Sequence, residues 1–157
     1  YIGTDPCTKT FEGLEQIKED WGSKNKTIEL YKVGSEDFWP PYCEVDLCFT
    51  SPPYYDWEKY SDEETQSYIK YPTKKEWLDG FLLNTIDRCH YGLKPGGILA
   101  MNVANTKRIK NFEEETLKLA KMLYFKHIDT WYLHLSSQNG IAKREPIFIF
   151  KKMVQLV

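Results

Sequence analysis

The sequence of 157 residues predicts an α/β fold on a mainly parallel sheet, and three observations predict it. Apolar residues alternate between strand-like and helix-like spacing along the chain, the rhythm of a layered α/β domain. Val45 to Thr50 (VDLCFT) is a compact apolar run bounded by polar residues and prolines, as expected of a buried parallel strand. Asn139-Gly140, between two further strand-like runs, marks a tight hairpin, so the sheet should end in an antiparallel pair.

The elements follow in order. Tyr1 to Thr4 is a short apolar opening that runs into Asp5-Pro6. Thr8 to Asp20 places Phe11, Leu14 and Ile17 three apart, which predicts an amphipathic helix. After a polar turn at Gly22 to Lys26, Thr27 to Val33 reads as a strand, and Gly34-Ser35-Glu36-Asp37 as a loop. Beyond the VDLCFT strand, Tyr55 to Thr73 is polar, aromatic-rich and weakly periodic, which predicts a long mobile loop. Lys74 to Tyr91 is a helix that buries Trp77, Phe81, Leu82 and Ile86. Leu93-Lys94-Pro95-Gly96-Gly97 breaks it ahead of a strand at Ile98 to Val103. Phe112 to Tyr124 is a helix, Lys126 to Leu135 a strand, Ser136 to Lys143 the hairpin turn, and Glu145 to Lys151 the returning strand.

Composition narrows the function. A chain of this length makes one domain. A formal net charge of −2 rules out a molecule that binds polyanions by overall charge, so nucleic-acid contact would need local basic patches such as Lys107, Arg108 and Lys110. The four cysteines form no C-x-x-C pair and the three histidines are scattered, so no metal site is expected. Cys48 reads as a buried, reduced thiol. With no leader, membrane-spanning run or lipidation motif, the expected setting is cytoplasmic, with no membrane partner.

Sheets of this type bind ligands beyond the carboxyl ends of their strands, and Asp5, Asp37 and Ser51 each fall just past a predicted strand. Ser51-Pro52-Pro53-Tyr54 is the most specific segment. Two prolines fix φ and remove backbone donors, so the turn stops the strand and holds carbonyl acceptors rigidly. Such acceptors suit an exocyclic amino group whose lone pair is delocalised into an aromatic ring. Accepting its protons pulls the nitrogen toward tetrahedral geometry and localises the pair. Ser51 adds a side-chain acceptor, and Tyr54 a face on which an extruded base could stack. A sulfonium methyl donor needs no strong base for the attack itself, so positioning carries much of the catalysis.

The tetrapeptide, directly after VDLCF, resembles the catalytic motif of the S-adenosylmethionine-dependent DNA amino-methyltransferases, which carry Asp, Asn or Ser before Pro-Pro-aromatic. The resemblance implies a Rossmann-like class I methyltransferase sheet and covers most of the chain. IGTDP (Ile2 to Pro6) is similar to the family's second strand, whose acid, here Asp5, would hold the cofactor ribose. GSEDF (Gly34 to Phe38) is similar to the loop that meets the cofactor adenine, which assigns Asp37, in preference to Glu36, and Phe38 to cofactor binding. LKPGGILAMNVAN (Leu93 to Asn105) and KREPIFIFKK (Lys143 to Lys152) are similar to the fifth strand and the closing strand; Asn102 and Asn105 would line the site. The implied cofactor is S-adenosylmethionine and the substrate DNA, at N4 of cytosine or N6 of adenine, in a restriction-modification or phage setting. The serine form is commonest among cytosine-N4 enzymes and also occurs in adenine-N6 enzymes. Related Pro-Pro-aromatic turns methylate RNA bases or protein glutamine, usually with Asn where Ser51 stands.

The family's first strand and glycine-rich loop have no counterpart in the sequence. The expectation is therefore an N-terminally truncated domain that binds cofactor weakly and is inactive alone, or a degenerate module kept for binding. Its exposed sheet edges would let two copies pair as a homodimer.

Overall fold

The computed structural model describes residues 1–135 and 144–154. In chain order these form β1 (Ile2–Thr4), α1 (Thr8–Trp21), β2 (Glu29–Tyr31), β3 (Val45–Thr50), α2 (Ser67–Lys70), α3 (Lys74–Glu76), a π-helical stretch (Trp77–Leu82), α4 (Leu83–Gly92), β4 (Leu93–Asn102), α5 (Phe112–Met122), β5 (Phe125–His134) and β6 (Arg144–Lys152). The turn expected at Ser136 to Lys143, with Asn139-Gly140, lies outside the described residues. The strands on either side of it pair antiparallel, from His134↔Arg144 to Phe125↔Lys152.

The expected single sheet is divided among the described residues. β1 and β2 form a parallel pair joined through α1, while the other strands form a four-stranded sheet in the order β3-β4-β6-β5. β3 runs parallel to β4, and β6 lies antiparallel between β4 and β5. Parallel and antiparallel pairings are thus mixed, because a crossover through a helix returns a strand parallel whereas a hairpin reverses it.

The expectation that β3 is covered on both faces is corrected. Val45 and Cys48 pack on the core, but Leu47 is 58% and Phe49 66% exposed. No described element lies over that face, and α1, although amphipathic, buries none of its residues. The second sheet carries the core instead. Leu93, Leu99, Met101 and Phe150 from the strands meet Trp77, Leu82, Ile86 and Phe112 from the helices, all fully buried.

The helical rod explains how adjacent residues share that core. Thr73 caps α3 through a reciprocal pair, its Oγ1 accepting from Glu76 N–H (3.2 Å) while Glu76 Oε2 accepts from Thr73 N–H (3.0 Å). The widened turns that follow close i→i+5, which brings Trp77, Phe81 and Leu82 to one side. All four predicted buried residues of this helix are indeed buried.

The start of β4 differs from expectation for a local reason. β4 begins at Leu93, taking in the Lys-Pro-Gly-Gly stretch that reads as a break, because the strand bulges there: Val45 opposes Leu93 but Leu47 opposes Ile98. Gly96, at φ +80°, supplies a conformation that side-chain-bearing residues rarely adopt. Lys152, buried near the end of β6, donates from Nζ to the carbonyls of His90 (2.6 Å) and Leu93 (2.7 Å) and so satisfies the end of α4.

The 55–73 segment, expected as a long mobile loop, carries a short helix and hydrogen bonds to the core. It contains α2, and Ser67 Oγ accepts the indole N–H of buried Trp77 at 3.1 Å. Tyr55 Oη donates to Pro72 O at 2.5 Å, joining the two ends of the segment. Among the described residues, no helix is long and apolar enough to cross a membrane.

Candidate functional site

β3 delivers its chain end to a cleft of about 200 Å³, lined by Ser51, Tyr54, Trp57, Glu58, Asn105 and Glu145. The diproline turn is therefore at an open rim, with Pro52 buried beneath it and Ser51 exposed. Ser51 Oγ donates to Asn102 Oδ1 at 3.4 Å, and buried Asn102 is held in turn by Nδ2 donating to Pro146 O at 3.0 Å. Asn102 thus couples the turn to β4 and β6. Trp57 N–H returns to Tyr54 O at 3.1 Å, and Tyr55 completes the corner in the left-handed region at φ +54°. That conformation costs a non-glycine residue about 1–2 kcal/mol. The bond to Pro72 and the contact of the Tyr55 ring with Trp77 oppose that cost.

Tyr54 does not present an open face. It is 7% exposed, and its ring lies edge-on to Phe112 with centroids 5.4 Å apart. Its hydroxyl bonds the Ser51 side chain and the Ala104 backbone; burial first, then the charges of Glu145 and Glu58, push it up to about 12. At neutral pH it stays protonated. The aromatic surface open at the cleft is Trp57, 54% exposed, which the sequence marks only as one of several aromatics in a loop.

Glu58 is the residue that motif reading misses. Its Oε2 accepts from Tyr54 N–H at 3.2 Å, the first backbone donor after the two prolines. Tyr60, whose hydroxyl also bonds Glu58, leads from the cleft toward Asp5; partial burial, then Glu58, then the charge of Asp5 push that hydroxyl up to about 12. Tyr60 thus feels the charge of both Glu58, at the turn, and Asp5. A glutamate four residues past the tyrosine is the signal that could have found it.

Asp5 itself is half-buried. Its Oδ1 accepts from Cys7 N–H at 2.8 Å; burial pushes its carboxyl above the usual range, the Cys7 bond works against this, and the nearby charge of Glu63 adds to it. In the loop after β2 the two acids divide differently from expectation. Asp37 is exposed and paired with Lys70, whereas Glu36 is 3% exposed, with Oε1 bonded to Lys70 Nζ at 3.0 Å and Oε2 buried without a partner. Its carboxylate folds over Gly34, where a Cβ would come within 2.3 Å of Oε2. Burial and the two carboxylates together fix Lys70: desolvation alone would lower its pKa, but the acids hold it well above the usual lysine range. Phe38 packs against Tyr31, centroids 4.7 Å apart.

These acceptors suit a ligand that donates hydrogen bonds, as nucleoside hydroxyls and amines do. Ser51 and Tyr54 of the diproline turn line the cleft, the charge of Asp5 is felt at Tyr60, and Lys70 ties Glu36 and Asp37 to α2. Lys107, Arg108 and Lys110 are all exposed immediately after Thr106, which also lines the cleft.

No family model matches the sequence, and no curated protein matches it. Solved structures do match. An S-adenosylmethionine-dependent methyltransferase from Methanosarcina mazei superposes with a TM-score of 0.62 at 13% identity, over 98% of this chain and 82% of that one. The N-methyltransferase NodS from Bradyrhizobium japonicum WM9 gives 0.63 at 12% identity, over 98% and 73%, and has also been solved in complex with S-adenosyl-L-homocysteine. TrmN from Thermus thermophilus gives 0.58 at 18% identity, over 97% of this chain and 36% of that one. The fold is that of the class I S-adenosylmethionine-dependent methyltransferases, with the strands arranged as two sheets among the described residues.

Proposed function

We propose that the chain carries the catalytic site of an S-adenosylmethionine-dependent methyltransferase acting on an exocyclic amino group of a DNA base, N4 of cytosine or N6 of adenine. The observation that carries this reading is the placement of the Ser51-Pro52-Pro53-Tyr54 turn at the end of β3, where Ser51 and Tyr54 line an open cleft with acceptors inside it and cations only outside it. A cleft lined by Glu58 and Glu145 repels phosphate and accepts N–H donors, while Lys107, Arg108 and Lys110 at its margin can meet the phosphates of the same strand.

Each residue has a task in this reading. Asp5 holds ribose hydroxyls; Glu36, with its unpartnered oxygen, and Asp37 take donors of the adenine, and Phe38 supports that loop. The cofactor, when bound, supplies an activated methyl group. The diproline carbonyls and Ser51 accept the amino hydrogens and fix the nitrogen for in-line attack, a task of positioning. Trp57 offers the face on which the extruded base stacks, and buried Tyr54 stiffens the turn through the bonds its hydroxyl makes with the Ser51 side chain and the Ala104 backbone.

The test is methyl transfer from labelled S-adenosylmethionine to three probes: single-stranded DNA, RNA of the same sequence and a glutamine-containing peptide. Transfer to DNA supports the reading. Transfer to RNA or peptide alone refutes the DNA assignment, and binding of S-adenosylhomocysteine with no transfer to any probe favours a non-catalytic module.

A further inference from the structure

Methylation of an amino group leaves a proton to dispose of, and the inference drawn from this rests on the methyl-transfer reading. As the N–C bond forms, the donor's C–S bond breaks with its electron pair staying on sulfur. The nitrogen is then cationic until an N–H bond gives up its proton. Backbone carbonyls of the diproline turn can accept a hydrogen bond from that proton but are too weakly basic to take it. The other lining groups narrow the choice. Ser51, Asn105, Thr106 and Trp57 offer no group that binds a proton at neutral pH, and the Tyr54 hydroxyl, pushed up to about 12, already holds its own. Two carboxylates remain, Glu58 and Glu145.

Their settings differ. Glu145 lies on β6, and its charge bears on the Tyr54 hydroxyl. Glu58 is tied to the turn itself, with Oε2 on Tyr54 N–H at 3.2 Å and the Tyr60 hydroxyl as a second partner. Two donors thus fix one carboxylate in the cleft beside the turn, where the methyl-transfer reading puts the amine. We propose that Glu58 is a catalytic residue: its carboxylate accepts one N–H of the amino group before attack and takes that proton once the methyl group has arrived. An –NH₂ group has two hydrogens, so one can rest on a neutral carbonyl of the turn while the other is held by the only kind of acceptor here able to remove it. The proton then leaves Glu58 for solvent through the open cleft, and the carboxylate is restored.

Glu58→Gln separates this role from a structural one. The amide oxygen can still accept from Tyr54 N–H, so the turn keeps its bond while proton uptake is lost; Glu58→Ala removes both. The full chain is assayed with labelled S-adenosylmethionine and single-stranded oligodeoxynucleotides containing cytosine and adenine. S-adenosylhomocysteine affinity by calorimetry and the Tyr54 amide shift by NMR are measured alongside. For Glu58→Gln, kcat should fall by about 10²-fold or more, with the affinity within about twofold of wild type and the Tyr54 amide still hydrogen-bonded. Wild-type turnover in Glu58→Gln overturns the proposal and leaves the methyl-transfer reading standing. So does a Glu145→Gln variant that shows the loss while Glu58→Gln stays active. Wild-type protein that binds S-adenosylhomocysteine and methylates none of the oligonucleotides refutes the methyl-transfer reading on DNA, and the assignment of Glu58 with it.

Discussion

Tyr54 is where a motif-based mutation would mislead, and the structure says by how much. Replacing it with alanine is the obvious test of a stacking aromatic, yet the ring is almost fully buried and lies edge-on to Phe112 within the core. Truncating a buried aromatic to alanine costs about 3–5 kcal/mol. At about 2–4 °C per kcal/mol for a domain of this size, Tyr54→Ala should lower Tm by roughly 6–20 °C. Lost activity in that variant would report unfolding as much as chemistry. Tyr54→Phe keeps the ring and removes only the hydroxyl that bonds the Ser51 side chain and the Ala104 backbone, at a cost of about 1 kcal/mol.

The two variants also differ in alkali. A buried tyrosine whose pKa is raised to about 12, against about 10 in the unfolded chain, stays protonated in the folded state while the unfolded state ionises. Its stabilising contribution is whole below pH 10 and is lost as pH rises through 12. A two-unit shift corresponds to about 2–3 kcal/mol across that window, and Tyr54→Phe should not show this part of the decline. Thermal unfolding followed by circular dichroism, at pH 7 and stepwise from pH 9 upward, measures both effects. A Tyr54→Ala Tm within about 3 °C of wild type would refute the burial argument, since a core ring cannot be removed so cheaply.

Three further outcomes are expected. Lys152→Met should destabilise by about 1–3 kcal/mol, read by thermal unfolding, because the carbonyls of His90 and Leu93 lose a buried donor; a neutral effect would mean that water replaces it. Lys70→Ala should speed amide exchange across residues 63–71, since it removes the tie from α2 to Glu36 and Asp37, and unchanged exchange would assign that order to Ser67 and Trp77. Asp5→Ala should weaken S-adenosylhomocysteine binding in calorimetry by about 1–3 kcal/mol, and unchanged affinity would remove Asp5 from the site.

Periodicity made the rod at 74–92 legible, because Trp77, Phe81, Leu82 and Ile86 face one core and burial is what periodicity records. The diproline turn was legible for a different reason: proline restricts φ wherever it stands, so its effect survives ignorance of the surroundings. What could not be read depended on partners distant in sequence. VDLCFT has the composition of a strand covered on both faces, but Leu47 and Phe49 are exposed because cover must come from another element, and no described one lies there. Likewise Asp37 and Glu36 are adjacent acids with the same chemistry. Only the fold decides that Glu36 turns inward over Gly34 while Asp37 meets Lys70 at the surface.

The 55–73 segment shows what weak periodicity does not record. Its tertiary contacts include individual polar ones, which leave no repeating pattern. Glu63 accepts from both the backbone N–H (3.1 Å) and Oγ1 (2.9 Å) of Thr8 at the start of α1, and Thr65 Oγ1 donates to Pro6 O at 3.3 Å. Lys70 reaches the loop after β2, Ser67 holds Trp77 in the core, and Glu58 holds Tyr54 at the turn. One segment thereby contacts the start of α1, the loop after β2, the π-helical stretch and the diproline turn. β1 and β3 lie in separate sheets, so no strand pairing sets the distance from Asp5 to Ser51. Contacts made by side chains of this segment must hold the two halves of the site in register. Substitutions at Glu63 or Lys70 should therefore weaken cofactor binding and turnover together, whereas a change confined to the proton acceptor at Glu58 should separate them.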